Sequence, residues 1–176
     1  MSAPRQTTTR QTTASASGRS GGFDFARAAS LLTDAASRAG AAIMAHFHEP
    51  AVEIKGDNSP VTRADRDSEA IILAALATLA PDVRVVSEED CGGTIGPLPE
   101  RFFLVDPLDG TKEFIKKRSD FTVNIALIEE RRPRFGLVYA PARALLAVTT
   151  AEGKAVEAEL PPNASGADLM DAVTGR

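Results

Sequence analysis

The chain has 176 residues, is 43% hydrophobic and 25% charged, and carries a formal net charge of −4, as a soluble globular domain does, with room for one full core and a tail. Lys and Arg are scattered, which leaves no basic footprint for a nucleic-acid polymer, and no apolar run is long enough to span a bilayer. Cys91 is the single cysteine, which excludes an internal disulfide and fits a reducing compartment.

Residues 1–22 are Thr, Ser, Gln, Ala and Gly with Arg5, Arg10 and Arg19, and contain no acid and no apolar face. They are expected to be a disordered tail. From Phe23 to about His48, the residues Phe25, Ala28, Leu32, Ala35, Ala39, Ile43 and Phe47 recur at helical spacing until Glu49-Pro50. His46 and His48 near its end read as surface groups or partners of the helix dipole. The segment Lys55 to Pro60 has turn chemistry. A second helix follows, with Ile71, Ile72, Ala75, Leu76 and Leu79 on one side and Pro81 as its stop. Thr62 and Asp65 have capping-box spacing, so the plain role of Asp65 is that of a first-turn acid.

Val83 to Val86 predict a strand that runs into Ser87-Glu88-Glu89-Asp90. Consecutive acids repel unless they diverge into solvent or surround a cation. Cys91 to Glu100, rich in Gly and Pro, is a loop. Phe102 to Val105 predict a buried strand ending in Asp106-Pro107-Leu108-Asp109-Gly110-Thr111. Phe121 to Ile128, Phe135 to Tyr139, Leu145 to Thr149 and a weaker Ala155 to Leu160 then alternate with short turns, the pattern of an antiparallel meander. Residues 161–176 read as an irregular tail.

The acids carry the chemistry. Glu88, Asp106, Asp109 and a carbonyl such as that of Leu108 are hard oxygen donors suited to Mg²⁺, with no thiolate or imidazole nearby in sequence. Cations in such a site neutralise a phosphate ester and activate water. Thr111 is placed to orient that water, and Asp65 is a candidate to receive its proton. Asp-Pro and Asp-Gly are also ordinary turn dipeptides, and taken alone the motif reads equally as a bare turn.

Asp106-Pro107-Leu108-Asp109-Gly110-Thr111 resembles the signature of the inositol monophosphatase superfamily. The extension Lys112-Glu113-Phe114-Ile115-Lys116 with Phe121 to Ile128 resembles one branch, the bacterial CysQ-type 3'(2'),5'-bisphosphate nucleotidases. Ser59-Pro60-Val61-Thr62 with Ala64-Asp65, Ser87 to Asp90, Val138 to Pro141 and Ala151 to Ala155 are similar to that branch in order and spacing. The resemblance implies an α+β fold: two long N-terminal helices packed on a largely antiparallel sheet, the N-terminal half of the family fold, spanning residues 23–160. It implies a lithium-sensitive, Mg²⁺-dependent hydrolase that converts adenosine 3',5'-bisphosphate to AMP and phosphate, a clearing step of sulfate assimilation. Glu88, Asp106 and the Leu108 carbonyl would hold one ion, and Asp106 and Asp109 would contribute to a second, with room for a third. Thr111 and Asp65 would be catalytic, and the substrate would meet Glu88, Leu108, Asp109, Gly110 and Thr111. Lys55 maps to a loop near the site. The alternatives are an inositol monophosphatase and a non-catalytic metal-binding fragment.

Relatives continue into a second half with a Trp-Asp motif, but this chain has no Trp, and the family likeness is expected to stop near Leu160. The face that would meet that half is expected to be apolar and exposed, favouring self-association. By the resemblance the protein is cytoplasmic, with peripheral contact at the inner membrane in some relatives.

Overall fold

A computed structural model describes residues 23–54, 60–89 and 96–165. The expected disordered tail, Lys55, Cys91 and the apolar patch at Leu169 and Met170 lie outside the described residues.

Helix α1 spans Phe25–Ala45 and starts at Asp24, whose carboxylate accepts the Arg27 backbone N–H at 3.0 Å. Its inward stripe, Ala28, Leu32, Ala35, Ala36, Ala39 and Ile43, is buried, and the small side chains let the helix come close to what it covers. Helix α2 spans Arg63–Leu79 and buries Ala64, Ile72, Ala75 and Leu76. The two helices pack on each other and on one face of a sheet.

That sheet has six strands in chain order: β3 (Arg84–Ser87), β4 (Arg101–Asp109), β5 (Thr122–Glu129), β6 (Arg132–Ala140), β7 (Leu145–Thr149) and β8 (Ala155–Glu159). β4 to β8 form the expected antiparallel meander, and β3 joins β4 in parallel. Phe103, Val105, Ile125, Leu127, Phe135, Leu137, Tyr139, Leu146 and Val148 point beneath the helices and are buried. Each large side chain removed from water in this way contributes about 1.5–3 kcal/mol. On the other face Leu104, Val138 and Leu145 are 45%, 46% and 44% exposed.

Two features differ from the sequence expectation. A two-stranded antiparallel hairpin, β1 (Val52–Ile54) with β2 (Pro60–Thr62), precedes α2, because three-residue strands are too short to show alternation. Also, β4 does not stop at Asp106 but continues through Pro107 to Asp109, with a shift in its pairing to β5 between Asp106 and Asp109. A bulge of this kind lets a strand accommodate a proline that has no N–H to give the ladder.

The short helix α3 (Thr111–Ile115) follows at once. Its Phe114 lies 5.3 Å from Phe121 in an edge-to-face pair, and Phe47 at the end of α1 meets both rings at 5.7 and 5.5 Å. This aromatic cluster ties the segment after the acidic bulge to the first helix. At the far side, the buried Tyr139 hydroxyl donates to the Leu160 carbonyl at 2.9 Å, and burial pushes the phenol up to about 12. Tyr139→Phe is expected to lower stability by about 1–2 kcal/mol by leaving that carbonyl unpaired, as a shift of the urea midpoint at constant slope.

Candidate functional site

The site forms where four segments meet at the C-terminal end of β4. Parallel pairing of Ser87 with Val105, extended by the Glu88 N–H donating to the Val105 carbonyl at 3.0 Å, sets Glu88 beside Asp106. Asp106 accepts the Leu108 N–H on Oδ1 at 3.1 Å. Burial pushes the Asp106 carboxyl up to about 7, helped by the charge of Glu88 and a hydrogen bond with it and by the charge of Asp109, while the Leu108 N–H pulls it back. Asp109 is exposed and accepts from Asn124 Nδ2 at 3.2 Å.

Gly110 follows with φ +90°, and a Cβ there would stand 2.7 Å from the Asp120 carbonyl oxygen. Glycine alone suits both the conformation and the space. Its turn brings Thr111 Oγ1 within 3.2 Å of Asp65 Oδ1 and 3.1 Å of the Leu108 carbonyl, two acceptors for one proton. Asp65 is buried, and its Oδ2 accepts the Thr62 backbone N–H at 2.8 Å and the Thr62 hydroxyl at 2.6 Å. The capping box predicted at Thr62 and Asp65 therefore forms, and the same carboxylate also reaches Thr111. Oδ2 thus serves the cap of α2, and Oδ1 faces Thr111.

An open cleft of about 300 Å³ lies against these groups, lined by Pro60, Glu88, Glu89 and Leu108 to Lys112. The structure thus brings together Asp65, Glu88, Asp106, Leu108, Asp109, Gly110 and Thr111. It does not close the acids into a cage: among the described residues, no group of three or more His, Cys, Asp or Glu side chains is close enough together to hold a metal ion. The donor chemistry nevertheless fits Mg²⁺, since every candidate ligand is oxygen. His46 is elsewhere, with Nε2 2.9 Å from Asp67 Oδ2 where α1 ends against α2.

Three residues near the acids had escaped the sequence reading. Asn124 lies directly across from Asp106 on β5; its place in the strand alternation was the available signal. Ser68 and Glu69, three and four positions after Asp65 on α2, hydrogen-bond to Pro107 and Ser87, and only helical spacing from Asp65 hinted at them.

In the metal-free protein the Asp106 shift gives a pH dependence of defined sign. The folded carboxyl titrates at about 7 and the ordinary value is 3.8, so the folded state binds more protons between those values. The stability it contributes is complete below about 4 and is lost as pH rises through about 7. With partial exposure screening the effect, roughly 1–2 kcal/mol should separate pH 5 from pH 8 in urea unfolding, and Asp106→Asn should flatten that difference.

A profile described as the inositol monophosphatase family matches residues 25–173, and the chain belongs to the inositol monophosphatase family. The match runs past Leu160, beyond the point at which the likeness was expected to stop. Within the family, the chain is 53% identical over 106 residues to the 3'(2'),5'-bisphosphate nucleotidase CysQ of Escherichia coli strain K12, covering 60% of this chain and 43% of that protein. Among solved structures, CysQ from Bacteroides thetaiotaomicron superposes with TM-score 0.62 and 34% identity, over 80% of this chain and 52% of that one. SuhB from Bartonella henselae gives TM-score 0.63 and 28% identity, over 74% and 52%. The chain thus spans about half the length of these relatives or less.

Proposed function

We infer that this chain carries the metal- and water-handling part of a 3'(2'),5'-bisphosphate nucleotidase, acting on adenosine 3',5'-bisphosphate to give AMP and phosphate. The observation that carries the reading is the Thr111 hydroxyl, held between Asp65 Oδ1 and the Leu108 carbonyl at the end of the strand that bears Asp106 and Asp109. The identity to CysQ supports a nucleotide in place of an inositol phosphate.

Glu88, Asp106, the Leu108 carbonyl and Asp109 would hold Mg²⁺, two ions or more. Bound there, Mg²⁺ supplies charge neutralisation for the phosphoryl oxygens and lowers the pKa of water. Thr111 Oγ1, its own proton directed to Asp65, offers a lone pair that orients the attacking water. Asp65 keeps Oδ1 to take up that proton, because Oδ2 is already occupied by two donors from Thr62. The backbone at Gly110 and Thr111 faces the cleft and meets the phosphate. The open cleft and the interacting carboxyls of Glu88 and Asp106 suit an anion received through cations, since the acids alone would repel it.

The test is phosphate release by the chain from adenosine 3',5'-bisphosphate and from inositol 1-phosphate, with Mg²⁺ and with or without lithium. Preference for the inositol ester would sink the nucleotidase reading. Thr111→Ala is expected to lower kcat by about 10–100-fold and to leave Mg²⁺ affinity by calorimetry unchanged; an unchanged rate excludes the water-orienting role. One observation favours a second reading, a chain that holds Mg²⁺ without turnover: Asp65 is already engaged as the capping-box acid of α2. Calorimetric Mg²⁺ binding with no phosphate release would select it, and turnover abolished by Asp106→Asn would exclude it.

A further inference from the structure

Where β4 shifts register, the peptide groups between Asp106 and Asp109 lose their partners on β5. Buried backbone groups left in this way are costly unless something else pairs with them. The Leu108 N–H is taken by Asp106 Oδ1 at 3.1 Å and the Leu108 carbonyl by Thr111 Oγ1 at 3.1 Å. The Pro107 carbonyl is taken from outside the sheet. Ser68, wholly buried on α2, donates its hydroxyl to it at 2.8 Å across 39 residues of sequence. One position further along α2, Glu69 Oε1 accepts the hydroxyl of Ser87, which is also buried and immediately precedes Glu88.

Asp65, Ser68 and Glu69 stand at i, i+3 and i+4, which puts them on one side of the helix. Along that side, α2 touches Thr111, the peptide between Asp106 and Leu108, and the residue before Glu88, in that order. The bond to Pro107 fixes the helix against β4, and the bond to Ser87 fixes it against β3. We propose that Ser68 and Glu69 are positioning residues. They hold the Asp106–Asp109 bulge and the end of β3 at one spacing from Asp65, so that groups from three segments face the same cleft, though neither touches substrate. This rests on the phosphatase reading for its use, but the bracing is a property of the folded chain alone.

Amide hydrogen exchange of the whole metal-free chain tests it. Ser68→Ala, a nearly isosteric change, is expected to speed exchange of the Leu108 amide about tenfold and to leave the amides of β5 as they were. Glu69→Ala should do the same to the Glu88 amide, and Glu69→Gln, which keeps the acceptor oxygen, should restore protection. Phosphate release measured on the same proteins should show kcat falling in Ser68→Ala and Glu69→Ala at constant KM, with Glu69→Gln near wild type. Faster exchange spread evenly over β5 and the site would mean a merely structural role and overturn the proposal. So would unchanged exchange at Leu108 and Glu88. A wild-type chain with no turnover but with the selective exchange pattern would defeat the phosphatase reading and uphold the bracing.

Discussion

Asp65→Asn is expected to lower turnover by about two to four orders of magnitude, the range for loss of a positioned acid–base group. The reason lies in how its two oxygens are used. Oδ2 takes both the Thr62 N–H and the Thr62 hydroxyl, and Oδ1 faces Thr111 Oγ1. An asparagine has one acceptor and one donor end. With its oxygen toward Thr62, its NH₂ points at Thr111 and occupies the lone pair that would otherwise orient water. Thr111 must then direct its proton to the Leu108 carbonyl, and no group remains to receive the proton of the nucleophile. With the amide reversed, two Thr62 donors face an NH₂ group, at a cost of about 1–3 kcal/mol in stability. Urea unfolding and phosphate release on the same variant separate the two effects. Thr62→Ala is the control, since it removes one donor to Oδ2 and leaves Oδ1 against Thr111. It should lose stability and keep most turnover, and a loss of turnover equal to that of Asp65→Asn would overturn the assignment of Oδ1.

The second large effect concerns the fold. Gly40→Ala is expected to destabilise by roughly 2–4 kcal/mol, as a clash in a core that cannot relax. In the middle of an exposed helix this substitution would stabilise by about 1 kcal/mol, so the sign itself is diagnostic. At Gly40 an added Cβ would stand 2.4 Å from Tyr139 Cε1 and 2.8 Å from Pro141 Cβ. The tyrosine cannot swing away without breaking its bond to Leu160 and opening the centre of the core. A urea midpoint equal to or above that of the wild type would show that α1 does not approach β6 so closely.

How much of this was legible in the sequence depended on the range of the forces involved. The periodicity of α1 and α2 and the alternation of β5 to β7 are local, and the strands and helices appear where those patterns placed them. The acids at 106 and 109 were legible because charge seldom follows directly on a buried apolar run. The parallel placement of β3 against β4 was not legible, since a crossover pairing leaves no mark in either strand. Nor was the passage of β4 through Pro107. That residue has no N–H for the ladder and signals the end of a strand; the register shift that accommodates it leaves no mark in sequence, and Ser68, which pairs with its carbonyl, looks like any polar helix residue. Asp65 was legible by two routes: its spacing from Thr62 announced a cap, while its pairing with Thr111 across 46 residues could be expected from its chemistry and from the family resemblance, since no local pattern carries a contact of that range.

Among the described residues, β8 is an outer strand of the sheet, and its outer row has a bearing on what the molecule avoids. An edge strand offers unpaired N–H and C=O groups to any other chain, and β-rich proteins risk growing into ribbons along such edges. Here the strand carries Glu157 and Glu159, both exposed, and Pro161-Pro162 follow it after one residue, Leu160. A second copy approaching strand to strand would bring like charges together and meet prolines that cannot donate. Glu157 and Glu159 thereby disfavour the addition of a second copy's strand along β8.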